Sequence, residues 1–455
     1  MDSLQEVLTN LLSNLASRKE IDQYLREFTN VESTKFAVIK VGGGILRDDL
    51  DELASSLAFL QRVGLFPIVV HGAGPQLNEA LENESIESAT IGGLRVTSPE
   101  VLHIARKVLH RENLRLVEAL EKLNTRARPI TTGVFDASPI DPDSLGLVGK
   151  IDHVHPEPLE AAIRAKQLPI VACLGETRSG QILNINADVA ARALALAMRP
   201  YKLIFLTPTG GLLDEHDQVM PAINLVEDYE RLMAQPWLQG GMALKLREIN
   251  ELFKELPLNS SVSITKPDQL ARELFTHRGS GTLIRRGESI DVHTTFEGID
   301  TDRLQSLIED SFSRSLRADY FTRRPPTKVY VTKSYSAAAV LTLEQGLPYL
   351  DKFAVTAEAQ GAGLGASLWN RMRQETPQLF WRARPDNPVC SWYFRQAEGT
   401  HRTPDWVVFW YGLGSRDQMT QCIDHALSLE PSLEYEHEYA IPNIATGESV
   451  LLAEG

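Results

Sequence analysis

Phe36-Ala-Val-Ile39, running straight into Lys40-Val-Gly-Gly-Gly44, is the stretch that decides the fold. An unbroken apolar run suits a strand covered on both faces, and the glycines suit a tight turn into a helix. The pattern returns at Phe66-Pro-Ile-Val-Val70 followed by His71-Gly-Ala-Gly-Pro75. Each turn presents bare backbone N–H groups at a helix start, where phosphate oxygens bind well. Lys40 adds a fixed positive charge beside them. One glycine turn is ordinary punctuation. Two of them with a lysine predict a phosphoryl-transfer site.

Outward from these turns, the text from 34 to about 286 alternates strands and helices. Strands are predicted at 35–41, 66–71, 130–135, 168–174, 202–208 and 260–265. Helices are predicted at 48–63, 74–83, 99–124, 157–166, 187–198 and 241–255. Such alternation favours a mostly parallel sheet sandwiched by helices. Ahead of it, residues 1–30 carry Leu4, Leu8, Leu11, Leu12, Leu15, Ile21 and Leu25, a spacing for one or two amphipathic helices. That arm either packs on its own domain or docks on a partner subunit. Residues 287–304 open on a polar, non-periodic run that reads as a linker between a first domain at 31–286 and a second at 305–455. Five of the six tryptophans lie in the second.

With 455 residues there is room for two or three domains, each with its own core. A net charge of −14 argues against nucleic acid or an anionic membrane as partner. Cys173, Cys390 and Cys422 have neither metal-ligand nor disulfide-framework spacing. No long apolar run predicts a membrane span, and the start of the chain lacks a signal-peptide core, so the cytoplasm is the expected compartment.

Four more segments of the front half carry chemistry. Gly92-Gly-Leu-Arg95-Val-Thr97 places a guanidinium fork in a loop, where it could grip a carboxylate or simply sit in a surface ion pair. Asn184-Ile-Asn186-Ala-Asp188 puts amides and a carboxylate at a helix start, and capping accounts for one of the three. Lys202-Leu-Ile-Phe-Leu-Thr207-Pro-Thr-Gly210-Gly211 is a strand end able to frame an adenine or ribose, or plain turn chemistry. Gly240-Gly-Met-Ala-Leu-Lys245 puts a lysine in the first turns of a helix, unfavourable unless an anion is there.

Together these segments resemble the amino-acid kinase family, its acetylglutamate kinases in particular. The resemblance covers 34 to 286 and implies transfer of the ATP γ-phosphoryl group to the γ-carboxylate of N-acetyl-L-glutamate. It implies that Lys40 and Lys245 neutralise the moving phosphoryl charge and that Asp188 holds both lysines. Gly43, Gly44, Gly72 and Gly74 would supply backbone donors or close approach, and Arg95 and Asn184 would grip the acetylated substrate. Thr207 and Gly210 would lie at the nucleotide. Mg²⁺ would arrive with ATP, held by phosphates and water, with no protein metal ligand. Ala73 stands where the family often has glycine. The segment with Glu273, Phe275, Thr276, Gly279 and Gly281 resembles the L-arginine-binding stretch of arginine-inhibited members, although Asp268 replaces a frequent histidine. Its structural alternative is a helix end and glycine turn leading to a last strand.

In the back half, Lys352-Phe-Ala-Val355 reads as a strand, and Gln360-Gly361-Ala-Gly363-Leu-Gly365 offers N–H donors before a helix at 364–374. With Phe380-Trp-Arg382-Ala-Arg384-Pro-Asp-Asn387, Trp392-Tyr393-Phe394-Arg395 and Asp405-Trp-Val-Val-Phe-Trp410, it resembles GNAT-type acetyltransferases, specifically the acetyltransferase half of vertebrate-type N-acetylglutamate synthases. That implies an α+β GNAT domain behind the α/β kinase fold. Val355, Gln360, Gly361, Gly363 and Gly365 would hold acetyl-CoA. Lys352, Arg382, Arg384 and Asn387 would meet L-glutamate or its product, and Tyr393 would lie near the thioester. Trp392 and Phe394 read as core. Both halves together resemble bifunctional bacterial synthase/kinases of arginine synthesis, with L-arginine as effector and a homotetramer as the expected assembly. A synthase with a purely regulatory front half, a kinase with a structural back half, and a non-enzymatic arginine sensor remain open alternatives.

Overall fold

The computed structural model describes residues 36–256, 260–275, 280–361 and 363–434. The leucine-rich arm lies outside them. The chain divides into two compact units at Glu288 and Ser289, except that the short stretch Gly361–Ser367 groups with the first.

The first unit is built on an eight-stranded sheet. Its order across is 222–224, 282–285, 261–265, 202–206, 37–41, 68–71, 168–172 and 127–130. All neighbours are parallel except 261–265 with 282–285. The central strands are buried on both faces, which is why they read as continuous apolar runs. Val38 belongs to one apolar layer, Ala37, Ile39 and Val41 to the other. Strand Ala37–Val41 pairs with Ile68–His71 on one side and with Lys202–Leu206 on the other. The chain therefore reverses direction across the sheet at this strand, and the crevice beyond its carboxyl end is where such sheets bind ligands.

Helices Gly74–Asn83 and Ala187–Met198 fall where the sequence puts them. The strand expected at 130–135 does not: Ala127–Ile130 and Phe135–Pro139 are separate strands in separate sheets. Ala127–Ile130 is an edge strand carrying Arg128 and Pro129, so it lacks the apolar signature of its neighbours. A second sheet, 182–184, 174–176, 135–139 and 149–154, and a small hairpin, 90–91 with 94–95, were not expected from sequence.

The second unit holds a seven-stranded sheet ordered 290–293, 328–332, 337–344, 347–355, 379–383, 407–411 and 399–402. The linker expected at 287–304 is corrected here. Ile290–His293 pairs antiparallel with Lys328–Thr332, and Thr301–Phe312 is a helix capped by Asp300. Two strand features interrupt the regular pairing. Leu347–Val355 and Leu379–Ala383 are parallel but pair only at Tyr349↔Phe380 and Leu350↔Trp381. Opposite strand Ala337–Glu344, the register jumps from Val340↔Lys352 to Leu341↔Leu350, so Asp351 is the extra residue of a β-bulge. Trp369 and Trp381 fill the interior, whereas Phe394, expected in the core, is 47% exposed.

Candidate active sites

The first site forms where the two glycine turns meet. A Cβ on Gly43 would lie 2.7 Å from Gln76 Oε1 and 2.9 Å from both Ala73 Cα and Gly74 N, so only glycine lets the turns approach. Buried Gln76 clasps them, donating from Nε2 to the Gly43 carbonyl at 2.8 Å. Helices Gly43–Asp48 and Gly74–Asn83 both start without a side-chain cap, so no cap side chain competes for first-turn amides that an anion could use. A Cβ at Gly44 or Gly74 would meet nothing within 4 Å. Gly72 takes the second of the two expected parts. Its N–H is already given to the Val41 carbonyl at 3.2 Å, and its part is close approach to Ala187, whose Cβ would lie 3.1 Å away.

Lys40 projects from the end of the central strand and its ammonium pairs with Asp188 at 3.0 Å. Asp188 sits in the first turn of helix Ala187–Met198, and Asn186 caps that helix by accepting from the Asp188 and Val189 amides at 2.8 and 3.3 Å. Lys245 places its ammonium 5.2 Å from the Phe205 ring centroid. Burial lowers its pKa first, the Lys40 charge lowers it further, and Asp188 opposes both. Asp188 thus touches Lys40 but reaches Lys245 only through its field, which narrows the expectation that it holds both.

Arg95, half-buried on the hairpin, donates to Asn78 Oδ1 and to Ser88 Oγ, the latter at 3.3 Å. Burial lowers its pKa. Among the described residues no carboxylate pairs with it, so its fork is directed by neutral acceptors. Thr97 links it to Asn184: the hydroxyl donates to the Arg95 carbonyl at 2.8 Å and accepts from Asn184 Nδ2 at 3.2 Å. Asn78 and Gln76 were missed from sequence, because a polar residue on a helix carries no mark of what it turns toward.

Other expected residues do structural work. The Thr207 hydroxyl accepts from the Gly210 amide at 3.2 Å, within a turn that gives Gly210 a φ of +76°. Glu273 accepts from the Ser280 and Gly281 amides at 2.9 and 3.2 Å. Phe275 is fully buried, edge-on to Phe59. A Cβ on Gly281 would overlap the Ile264 carbonyl. Thr276 and Gly279 lie outside the described residues.

The second site forms where strands Leu347–Val355 and Leu379–Ala383 stop pairing. Buried Lys352 donates to Asp351 Oδ2 at 2.6 Å and to Ser432 Oγ, with its ammonium 4.9 Å from the Tyr320 ring centroid. Arg324 Nη1 and the Tyr320 hydroxyl also donate to Asp351, at 2.6 and 2.8 Å. Burial disfavours the Asp351 carboxylate, but the Lys352 and Arg324 cations outweigh it and hold its pKa below the ordinary value. Arg382 and Arg384 lie over the indole of Trp406, at 3.9 and 4.1 Å. Asn387 turns its Oδ1 to the Val389 amide at 3.0 Å.

Tyr393 is buried beside Trp381, Trp392 and Phe409, each with its ring centroid 5.5 Å away. Burial pushes the phenol far above its ordinary pKa, so it stays protonated at neutral pH. The Gln360–Gly365 stretch departs from a simple amide loop. Gln360 and Gly361 close the short helix Ala357–Gly361, the Gln360 side chain folds back on the Val355 carbonyl at 3.2 Å, and Gly363 turns at φ +75° into helix Leu364–Glu375, which includes Gly365.

Among the described residues no helix is long and apolar enough to cross a membrane. Comparison with known proteins matches residues 35–259 to the amino acid kinase family and residues 291–428 to NAT, the N-acetyltransferase of N-acetylglutamate synthase. An acetylglutamate kinase of Xylella fastidiosa is 52% identical over 92% of this chain and 100% of its own. The mitochondrial N-acetylglutamate synthase of Danio rerio is 32% identical over 90% of this chain and 77% of its own. A crystal structure of N-acetylglutamate synthase from Neisseria gonorrhoeae with coenzyme A and N-acetylglutamate superposes with a TM-score of 0.55 at 18% identity, covering 87% of this chain and 98% of that one, which shows a shared fold. The chain therefore belongs to the amino-acid kinase family, in the group that joins an acetylglutamate kinase-type domain to the acetyltransferase domain of N-acetylglutamate synthases.

Proposed function

We propose that this chain catalyses two successive steps of arginine synthesis. The second unit transfers the acetyl group of acetyl-CoA to the amino group of L-glutamate. The first transfers the ATP γ-phosphoryl group to the γ-carboxylate of the N-acetyl-L-glutamate so formed. The observation that carries the kinase half is the Lys40–Asp188 pair with Lys245 in the same field, at the carboxyl end of the central strand. Positioning and charge stabilisation supply most of the rate in such transfers. Lys40 and Lys245 offset charge on the moving phosphoryl group, the amides of Gly43, Gly44 and Gly74 hold its oxygens, and Arg95 with Asn184 orients the acceptor. Mg²⁺ accompanies ATP and shields its phosphates. Asp188 is engaged by Lys40, and Glu248 acts on the lysines through its field, so phosphate and water would hold the ion.

In the second unit, the unpaired stretch of strand beyond Leu350 is open to the amide-bearing arm of acetyl-CoA, which can add to it as a further strand. Arg382, Arg384, Asn387 and Lys352 take the glutamate. As the amino nitrogen attacks the thioester carbonyl and the C–S bond breaks, the neutral Tyr393 phenol gives its proton to the departing thiolate, and the proton lost from the nitrogen passes to water, from which the phenol is restored. We further propose feedback by L-arginine through the Glu273–Gly281 segment and assembly into a homotetramer in the cytoplasm.

Two assays on the full chain test this, each with and without L-arginine. Hydroxamate formation from ATP and N-acetylglutamate reports acyl phosphate, and thiol release from acetyl-CoA and glutamate reports acetyl transfer. Both are expected. Thiol release alone would mean that the front half is regulatory. Acyl phosphate alone would mean that the back half is structural. Neither, with arginine still bound, would mean a sensor.

A further inference from the structure

Asp351 governs how charge is arranged at the acetyl-transfer site. In a regular strand, neighbouring side chains point to opposite faces. As the extra residue of the bulge, Asp351 escapes that alternation, and its carboxylate meets the ammonium of the very next residue, Lys352, at 2.6 Å. Its other oxygen takes Arg324 at 2.6 Å, and the Tyr320 hydroxyl adds a third donor at 2.8 Å. Asp351 and Lys352 are each only 3% exposed at the side chain, and Arg324 18%. One buried anion is therefore in contact with two cations, while Glu344, bonded to His425 at 2.7 Å, acts on Arg324 through its field. The field of Arg382 acts on the same lysine. Buried positive charge in excess of its counter-charge calls for an anionic ligand. The arrangement is tied in place from outside the strand. Ser432 accepts from Lys352, the Glu430 carbonyl accepts from Arg324 at 2.8 Å, and the Arg317 amide bonds to the Ser432 carbonyl at 3.1 Å.

We propose that Asp351 is a positioning residue of the acyl-acceptor subsite, holding Lys352 and Arg324 side by side so that their surplus charge is presented to one carboxylate of a dicarboxylic amino acid. The proposal rests on the reading of Lys352 as a glutamate-binding residue. Asp351 itself acts through the two cations and does not touch the reacting atoms.

Initial rates of acetyl transfer on the full chain, with L-glutamate and acetyl-CoA varied separately, test it. Asp351→Asn is expected to raise the KM for glutamate tenfold or more, with the KM for acetyl-CoA within twofold and phosphoryl transfer unchanged. Asp351→Glu, which keeps the charge, is expected to recover part of the loss. Tyr320→Phe removes one donor to Asp351 while keeping the ring, and is expected to raise the glutamate KM severalfold. It also carries the test if Asp351→Asn fails to fold. If Lys352→Met raises the glutamate KM while Asp351→Asn and Tyr320→Phe leave it unchanged, the proposal is overturned alone. If Lys352→Met leaves it unchanged, the underlying reading of Lys352 falls, and the proposal with it. Equal changes in both KM values in the Asp351 variants would show a general structural role and also overturn it.

Discussion

Gly43 has no room for a side chain, and the atoms that crowd it are mostly backbone. Gly43→Ala is therefore expected to push the two turns apart at a cost of about 1–3 kcal/mol. It should lower phosphoryl transfer and leave acetyl transfer intact; equal loss of both activities would contradict this. His71, fully buried one residue before the second turn, is a further sensitive point. Burial depresses its pKa from 6.5 to about 4. Between those values the unfolded chain binds the proton and the folded one does not, so stability rises with pH through that window and is lost on acidification. At pH 5 the loss relative to neutral pH is about 2 kcal/mol. The thermal midpoint of the wild type should fall more from pH 7 to pH 5 than that of His71→Gln; an equal fall would sink the assignment. The lysines, glycines and Arg95 of the proposed site could be named from the sequence because chemistry restricts which residues can serve. Asp351, Arg324, Asn78 and Gln76 were not, because each acts through a neighbour distant in sequence or through a register shift.

Among elements, those buried on both faces were legible and those at the edges were not. Gly74–Asn83 and Ala187–Met198 matched because a turn residue or a capping amide marks each start. Edge strand Ala127–Ile130, the four-stranded sheet that carries Asn184, and Ile290–His293 are half-exposed and polar, so their text resembles loop. The short helix Leu270–Phe275 shows how a functional expectation can overlie a structural one. Its Glu273 accepts from the Ser280 and Gly281 amides and its Phe275 fills the core. Phe275→Ala is expected to destabilise the first unit by about 3–5 kcal/mol in denaturant titration. A cost below ~1 kcal/mol would contradict its placement.

At the scale of the molecule, each unit has its own main sheet and its own apolar core, and the proposal assigns one chemistry to each. The proposed phosphoryl-transfer site lies at the carboxyl end of a mostly parallel sheet, and the proposed acetyl-transfer site at the parting of two parallel strands in an otherwise antiparallel one. A shift in composition, with five of six tryptophans beyond residue 365, announced the division, although the polar run between the halves concealed the first strand of the seven-stranded sheet. The most direct test of this division is a crossed pair of substitutions assayed for both activities on the full chain. Lys245→Ala should cut acyl-phosphate formation by about 10²–10³-fold and spare thiol release. Tyr393→Phe should cut thiol release by about 10²-fold or more and spare acyl-phosphate formation. Loss of both activities from either single substitution, in protein that remains folded, would contradict the account.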